Sequence, residues 1–275
     1  MNEIKFYKMV ASGNDFLVID NRKKIIKDAK KFAAEVCRQH LGVGADGVLL
    51  IEPSKKSDFF MRIVNADGSE AEACGNGYRC VGLYAHEILG FPKSMRVETL
   101  AGEIKIDVNA KTVKAKMADP SEYREKVEIP AIKTGPLASG RTLRPAFINT
   151  GVPHVVIFME KLDRAPVVEL GRTIRHHNLF QPRGTNVNFV EVTGKNSLSV
   201  RTYERGVEDE TLACGTGTVA SAIVANLTGR VEVPVQVKTK SGEILRVYFE
   251  QSWDKIRNVF LEGSAKFVFE GKMKI

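Results

Sequence analysis

The sequence has no charge-free apolar stretch long enough to span a bilayer, and its opening residues, MNEIKFYKMV, show no basic segment followed by an apolar one. These absences lead us to expect a cytoplasmic protein with no membrane partner. Cysteine is scarce, with Cys37, Cys74, Cys80 and Cys214 the only four. They form no Cys-x-x-Cys and no paired His-Cys cluster, which argues against a disulfide framework and against a structural metal. Cys80 follows Cys74 by six residues, and a helical step of about 100° per residue sends the two side chains to different faces. Acids are outnumbered, giving a formal charge of +8, yet Lys and Arg come in short groups such as Arg22 to Lys24 and Lys30 to Lys31, interleaved with acids. No RNA-binding or zinc-finger signature accompanies them, so we expect solvated faces and no nucleic-acid partner. A basic surface still suits the collection of an anionic small substrate. The string GVGADG at 42–47 follows a helical pattern and opens a strand, the reverse of the order that a dinucleotide-binding turn requires.

What the sequence does contain is a repeat. ACGNG at 73–77 returns as ACGTG at 213–217, with Glu70 and Glu210 four residues before each cysteine. Downstream, VETLAGEI at 97–104 returns as VKTKSGEI at 237–244, again 140 residues later. Two matches at one offset imply two similar halves. At 275 residues, with 43% hydrophobic and 27% charged residues, the chain is an ordinary globular one, long enough for two domains with cores of their own. We place the halves at 1–119 and 120–265, with the mostly polar stretch 121–140 as a connection.

Strand-like runs fall at 4–10, 15–20, 48–52, 59–65, 95–99, 103–109 and 112–118 in the first half and at 233–240, 243–250 and 257–262 in the second. A helix is expected from Asp28 to His40, with Ala29, Phe32, Ala33, Val36 and Cys37 as its core stripe. Each Cys-Gly-x-Gly opens a further helix, and the second, 216–228, is apolar nearly all round, as helices enclosed by other elements are. The expected fold class is therefore α+β: two pseudo-symmetric domains, each a curved, barrel-like mixed β-sheet wrapped around a central helix.

A helix start presents unpaired backbone N–H groups and the positive end of the dipole, which favour thiolate over thiol and also bind carboxylates. Two pseudo-symmetric halves would place Cys74 and Cys214 on opposite sides of one bound anion. That arrangement suits inversion at a carbon next to a carboxylate, one cysteine removing a proton as thiolate and the other delivering one as thiol.

NADGSEAEACGNGYRC at 65–80, ERGVEDETLACGTGT at 204–218, SGNDF at 12–16, TGVPH at 150–154 and TNVNFV at 185–190 together make the chain resemble the diaminopimelate epimerases over essentially its whole length. These are cofactor-independent isomerases of lysine and cell-wall biosynthesis, and the resemblance implies no metal, flavin or pyridoxal phosphate. It makes Cys74 and Cys214 the acid/base pair. Gly75, Asn76, Gly215 and Thr216 would hold the reacting carboxylate. Asn14, Asn65, Asn186, Glu204 and Arg205 would grip the distal amino-acid group, and His154 and Glu204 would tune the thiols. A homodimer is implied, as is a C-terminal segment, about 266–275, returning to the first domain. Gly47 stands where the family pattern has Gln, and Val152 where it has Asn.

The leading reading is epimerisation of LL-diaminopimelate to the meso form. A second keeps the fold and thiols for proline, hydroxyproline or histidine, but Asn65, Asn186 and Arg205 argue against a substrate without a distal polar group. A third, a dithiol redox protein, lacks the Cys-x-x-Cys beside a βαβ unit.

Overall fold

Strands that are apolar without interruption, and therefore buried on both faces, set the layers of each half. The computed structural model describes residues 3–110, 112–130, 142–252 and 255–274. The first half contains β1 (Glu3–Ala11), β2 (Asn14–Asp20), α1 (Ala29–Val36), β3 (Gly47–Glu52), β4 (Phe59–Asn65), β5 (Glu70–Ala71), α2 (Gly75–Glu87), β6 (Ser94–Thr99), β7 (Gly102–Val108) and β8 (Val113–Lys116). Side chains alternate along β2 and β3. Leu17, Ile19, Val48 and Leu50 pack against Ala29, Ala33 and Cys37, under α1. Phe16, Val18, Leu49 and Ile51 pack on the other side, with Tyr78, Val81 and Ala85 of α2. Each of these fully buried aliphatic side chains contributes about 1.5–3 kcal/mol.

The second half contains β9 (Ser121–Arg124), β10 (Ala146–Asn149), β11 (Pro153–Phe158), α3 (Val167–Arg175), β12 (Asn186–Gly194), β13 (Ser197–Glu204), β14 (Asp209–Thr211), α4 (Gly215–Leu227), β15 (Val235–Lys238), β16 (Ile244–Ser252) and β17 (Lys255–Gly263), and the last strand is β18 (Lys266–Lys274). Val155, Val187, Phe189 and Tyr203 face Leu170 and Ile174 of α3, whereas Val156, Val190, Leu198 and Val200 face Val219, Ala220, Ile223 and Val224 of α4. The ladder order repeats between halves. β1–β2 is antiparallel, β2–β3 parallel, β3–β4 antiparallel and β4–β6 parallel. In the second half β10–β11, β11–β12, β12–β13 and β13–β15 follow the same sequence. Each half is thus a mixed sheet around a central helix, the architecture that the repeat implies.

By its internal contacts the chain divides into two compact units, Met1–Lys116 with Glu262–Ile275, and Met117–Leu261. β18 belongs to the first because it pairs antiparallel with β1, from Glu3 opposite Lys274 to Val10 opposite Lys266. No helix among the described residues is long and apolar enough to cross a membrane.

Two expectations need correction, and one element goes beyond them. α1 stops at Val36, not His40. The chain there reverses over its own last turn, the N–H groups of Val43 and Gly44 donating to Val36 O at 2.8 and 3.1 Å. Gly42 makes this possible, since a Cβ at that position would lie 2.5 Å from the same oxygen. Residues 121–130 are not a bare connection: β9 pairs with β10, Ile129 and Leu143 exchange hydrogen bonds of 2.9 Å, and Val127 and Ile129 are buried. The remainder of that stretch, 131–141, lies outside the described residues. Finally, α3 has no counterpart in the sequence reading, although Val167, Leu170, Gly171 and Ile174 form its buried stripe at helical spacing.

Candidate active site

In the first unit β5 delivers an extended chain (φ −153°, ψ 103°) to Cys74, which is the N-cap of α2. Its Sγ accepts a hydrogen bond from Gly77 N–H at 3.3 Å. A Cβ on Gly77 would come within 3.2 Å of Met61 Cε and 3.3 Å of Leu49 Cδ2, so the helix start lies close on the apolar sheet. Cys74 is half-buried, while Cys37 and Cys80 are fully buried core residues. Burial raises the Cys37 thiol to about 11. Tyr78, one turn on, is buried against Cys74, and this pushes its phenol up to about 12.

Asn76, the second helical residue, donates through Nδ2 to Asn14 Oδ1 at 2.7 Å, and Asn14 Nδ2 donates to Asp46 Oδ2 at 2.8 Å. The wholly buried guanidinium of Arg79 fixes this chain, donating to Asn76 Oδ1 and Ser12 Oγ at 2.6 Å each and to Ser264 O at 3.1 Å. Charge-assisted donors of this kind hold an amide in one orientation. Asn65, at the end of β4, bonds within its own turn, Nδ2 donating to Ser69 Oγ at 2.9 Å. It lies opposite Gly47 in the ladder, and a Cβ on Gly47 would approach Val64 O to 2.7 Å, which explains glycine in that position.

In the second unit Cys214 is the N-cap of α4 (φ −118°, ψ 113°) and is buried. Its Sγ lies 3.5 Å from Thr216 Oγ1, and it is hydrogen-bonded to Glu204. Burial raises the thiol far above its ordinary range, and the negative charge of Glu204 raises it further. Burial also raises the Glu204 carboxyl, partly offset by hydrogen bonds from Thr211, at 2.9 Å, and Cys214. The carboxyl and the thiol are in contact, and burial favours the protonated form of each. Thr150 Oγ1 donates to Thr216 O at 3.0 Å and ties the first turn of α4 to the loop before β11.

His154 is fully buried on β11 and lies 3.1 Å from Asn188 Nδ2 through Nδ1. Burial, aided by the positive charge of Arg205, lowers its pKa to about 3. Asn186 Oδ1 accepts from the backbone N–H of Arg205 at 2.7 Å, and the Arg205 guanidinium donates to Arg183 O at 3.0 Å.

The structure thus gathers Asn14, Cys74, Gly75 and Asn76 at the start of α2, and Glu204, Cys214, Gly215 and Thr216 at the start of α4. Asn186 and Arg205 are joined to each other, and His154 is reached through Asn188. Sequence reasoning missed Ser12, Asp46, Arg79, Thr150, Asn188 and Thr211. Two of these carried a signal: Arg79 is a charge inside an apolar helical stripe, and Asn188 alternates with Asn186 and so shares its face of β12. Glu70 and Glu210 prove to be structural, each held on the neighbouring strand by two hydrogen bonds from an arginine. Those distances are 3.1 and 2.8 Å from Arg62 and 2.6 and 2.9 Å from Arg201.

A family profile described as diaminopimelate epimerase matches residues 6–123 and 146–268. A protein of Aquifex aeolicus named diaminopimelate epimerase is 44% identical over 283 residues, covering 98% of both chains. Among solved structures, a phenazine biosynthesis protein from Bacillus anthracis superposes with a TM-score of 0.76 at 17% identity over 100% of both chains. A hydroxyproline epimerase from Agrobacterium vitis superposes with a TM-score of 0.69 at 15% identity, covering 98% of this chain and 92% of the other. These two structures bear on the fold alone.

Proposed function

The chain belongs to the diaminopimelate epimerase family, and from that premise we infer that it is an isomerase of lysine biosynthesis that converts LL-2,6-diaminopimelate to the meso form. We propose that Cys74 and Cys214 are its acid/base pair and that no metal, flavin or pyridoxal phosphate takes part. One observation carries this reading: each cysteine is the N-cap of the central helix of its own unit, at matching places in a repeated ladder.

One thiolate removes the proton from the reacting Cα, and the second thiol protonates the opposite face of the resulting carbanion. One proton is taken and one is given, so the two sulfurs exchange protonation states in each turnover. The N–H groups of Gly75, Asn76, Gly215 and Thr216 hold the reacting carboxylate, where charge grows as the Cα–H bond breaks. Glu204, hydrogen-bonded to Cys214 and raised by burial, exchanges the proton of that thiol. Arg205 pairs with the distal carboxylate, and Asn14, Asn65 and Asn186 bind the remaining distal groups. We further infer a homodimer in the cytoplasm. The family resemblance supports the dimer, and a biosynthetic role suits the cytoplasm.

The test is exchange in heavy water. LL-diaminopimelate incubated with the enzyme should gain one deuterium at the inverted α-carbon, while proline and histidine should gain none. Inversion without solvent deuterium, or exchange into proline, would remove the reading.

A further inference from the structure

The helices that carry the two cysteines rest on different floors. In the first unit the ladder pairs Phe16 with Gly47 and Leu49 with Ile63, and Phe16, Leu49 and Ile63 belong to the apolar core under α2. In the second unit the corresponding ladder pairs His154 with Asn186 and Asn188 with Thr202. Three apolar side chains are thus replaced by three polar ones, His154, Asn188 and Thr202, all of them buried. Buried polar groups are stabilising only when they are bonded to one another. Asn188 supplies the bonds: Nδ2 donates to Val155 O at 3.0 Å and lies 3.1 Å from His154 Nδ1, and Oδ1 accepts from Thr202 Oγ1 at 2.9 Å.

The tautomer follows from donor and acceptor chemistry. A backbone carbonyl can only accept, so the nitrogen side of the Asn188 amide must face Val155, and the amide cannot be turned round. Its second N–H then points at His154 Nδ1, which must be an acceptor, and the ring proton lies on Nε2. That Nε2 is wholly buried and has no hydrogen-bond partner among the described residues.

We propose that Asn188 is a positioning residue that locks His154 as the neutral Nε2–H tautomer. His154 then serves the reaction as a hydrogen-bond donor to a carboxylate brought by the substrate, and not as a proton acceptor. This rests on the proposed function only for the identity of that carboxylate. Among the described residues Arg205 is the charged group that acts on the ring, and burial and Arg205 together oppose the imidazolium form.

The experiment is ¹⁵N NMR of histidine-labelled enzyme, with His154 assigned by the loss of its signals in His154→Gln. We expect a protonated Nε2, an unprotonated Nδ1 and no titration between about pH 5.5 and 8.5. Asn188→Leu places at this ladder position the residue that Leu49 already provides in the first unit. It should fold, show mixed tautomers and lose about tenfold or more in kcat. Asn188→Asp should draw the ring proton to Nδ1 and likewise lower kcat. A wild-type ring protonated at Nδ1, a ring that gains charge within that pH range, or an Asn188→Leu enzyme with unchanged kcat would each overturn the proposal. Cys74→Ser should leave the wild-type tautomer in place, so failure of the thiol assignment reads out separately.

Discussion

The carboxyl of Glu204 is hydrogen-bonded to the thiol of Cys214, and burial raises both. Cys74 differs in exposure, being half-buried where Cys214 is buried. The two thiols should therefore differ in reactivity. At about pH 8, iodoacetamide should label Cys74 ahead of Cys37, Cys80 and Cys214, which are all buried, because only exposed thiolate reacts. Glu204→Gln removes the negative charge that disfavours the Cys214 thiolate, so labelling of Cys214 should accelerate at constant pH. Peptide mapping by mass spectrometry gives the order, and unchanged labelling of Cys214 in Glu204→Gln would sever the coupling.

Cys74→Ser and Cys214→Ser should each lower epimerisation by at least about 100-fold, since a hydroxyl is a poor base at neutral pH. Cys37→Ser and Cys80→Ser should lower stability and leave kcat nearly unaltered, because both sulfurs lie in the apolar core. Initial rates from chiral chromatography of the diaminopimelate isomers decide this.

Arg205→Ala should weaken diaminopimelate binding by about 2–5 kcal/mol through loss of the charge partner of the distal carboxylate. The expected change is a large rise in KM. An unaltered KM would place the distal site elsewhere.

Arg79→Met removes the buried donor shared by Asn76, Ser12 and Ser264. We expect a loss of about 2–4 kcal/mol in stability from the acceptors left unpaired. KM should also rise, as Asn76 and Asn14 lose their fixed orientation. Urea denaturation and steady-state kinetics measure the two effects.

His154 sets a pH dependence of stability. Its folded-state pKa, about 3, lies below the ordinary histidine value of 6.5, so between these values the unfolded chain binds more protons than the native one. The contribution is complete above about 6.5 and is lost as pH falls towards 3. The urea midpoint should decline over that window, and His154→Gln should flatten the decline.

Much of this was legible in the sequence because local pattern and tertiary role agree. β2 and β3 read as apolar runs since both faces are covered, and Cys74 and Cys214 read as helix starts since glycine follows each. The misreadings arise where tertiary contacts prevail over pattern. The α1 stripe runs through Val36 and Cys37 and gives no sign that the backbone turns back at Gly42. The charges of 121–130 conceal Val127 and Ile129. Asn188 shares a face with Asn186 in the alternating pattern, but only the folded sheet shows that it bonds His154 and Thr202.

The return of β18 to β1 makes the first unit discontinuous in sequence. During synthesis the residues up to Lys116 emerge early, but β1 has no partner on its outer side until Lys266–Lys274 have left the ribosome. An unpaired strand edge is a template for other chains. The nascent protein therefore carries an open edge for the time needed to translate the whole second unit, and chaperone demand should be set by that delay more than by the stability of either core.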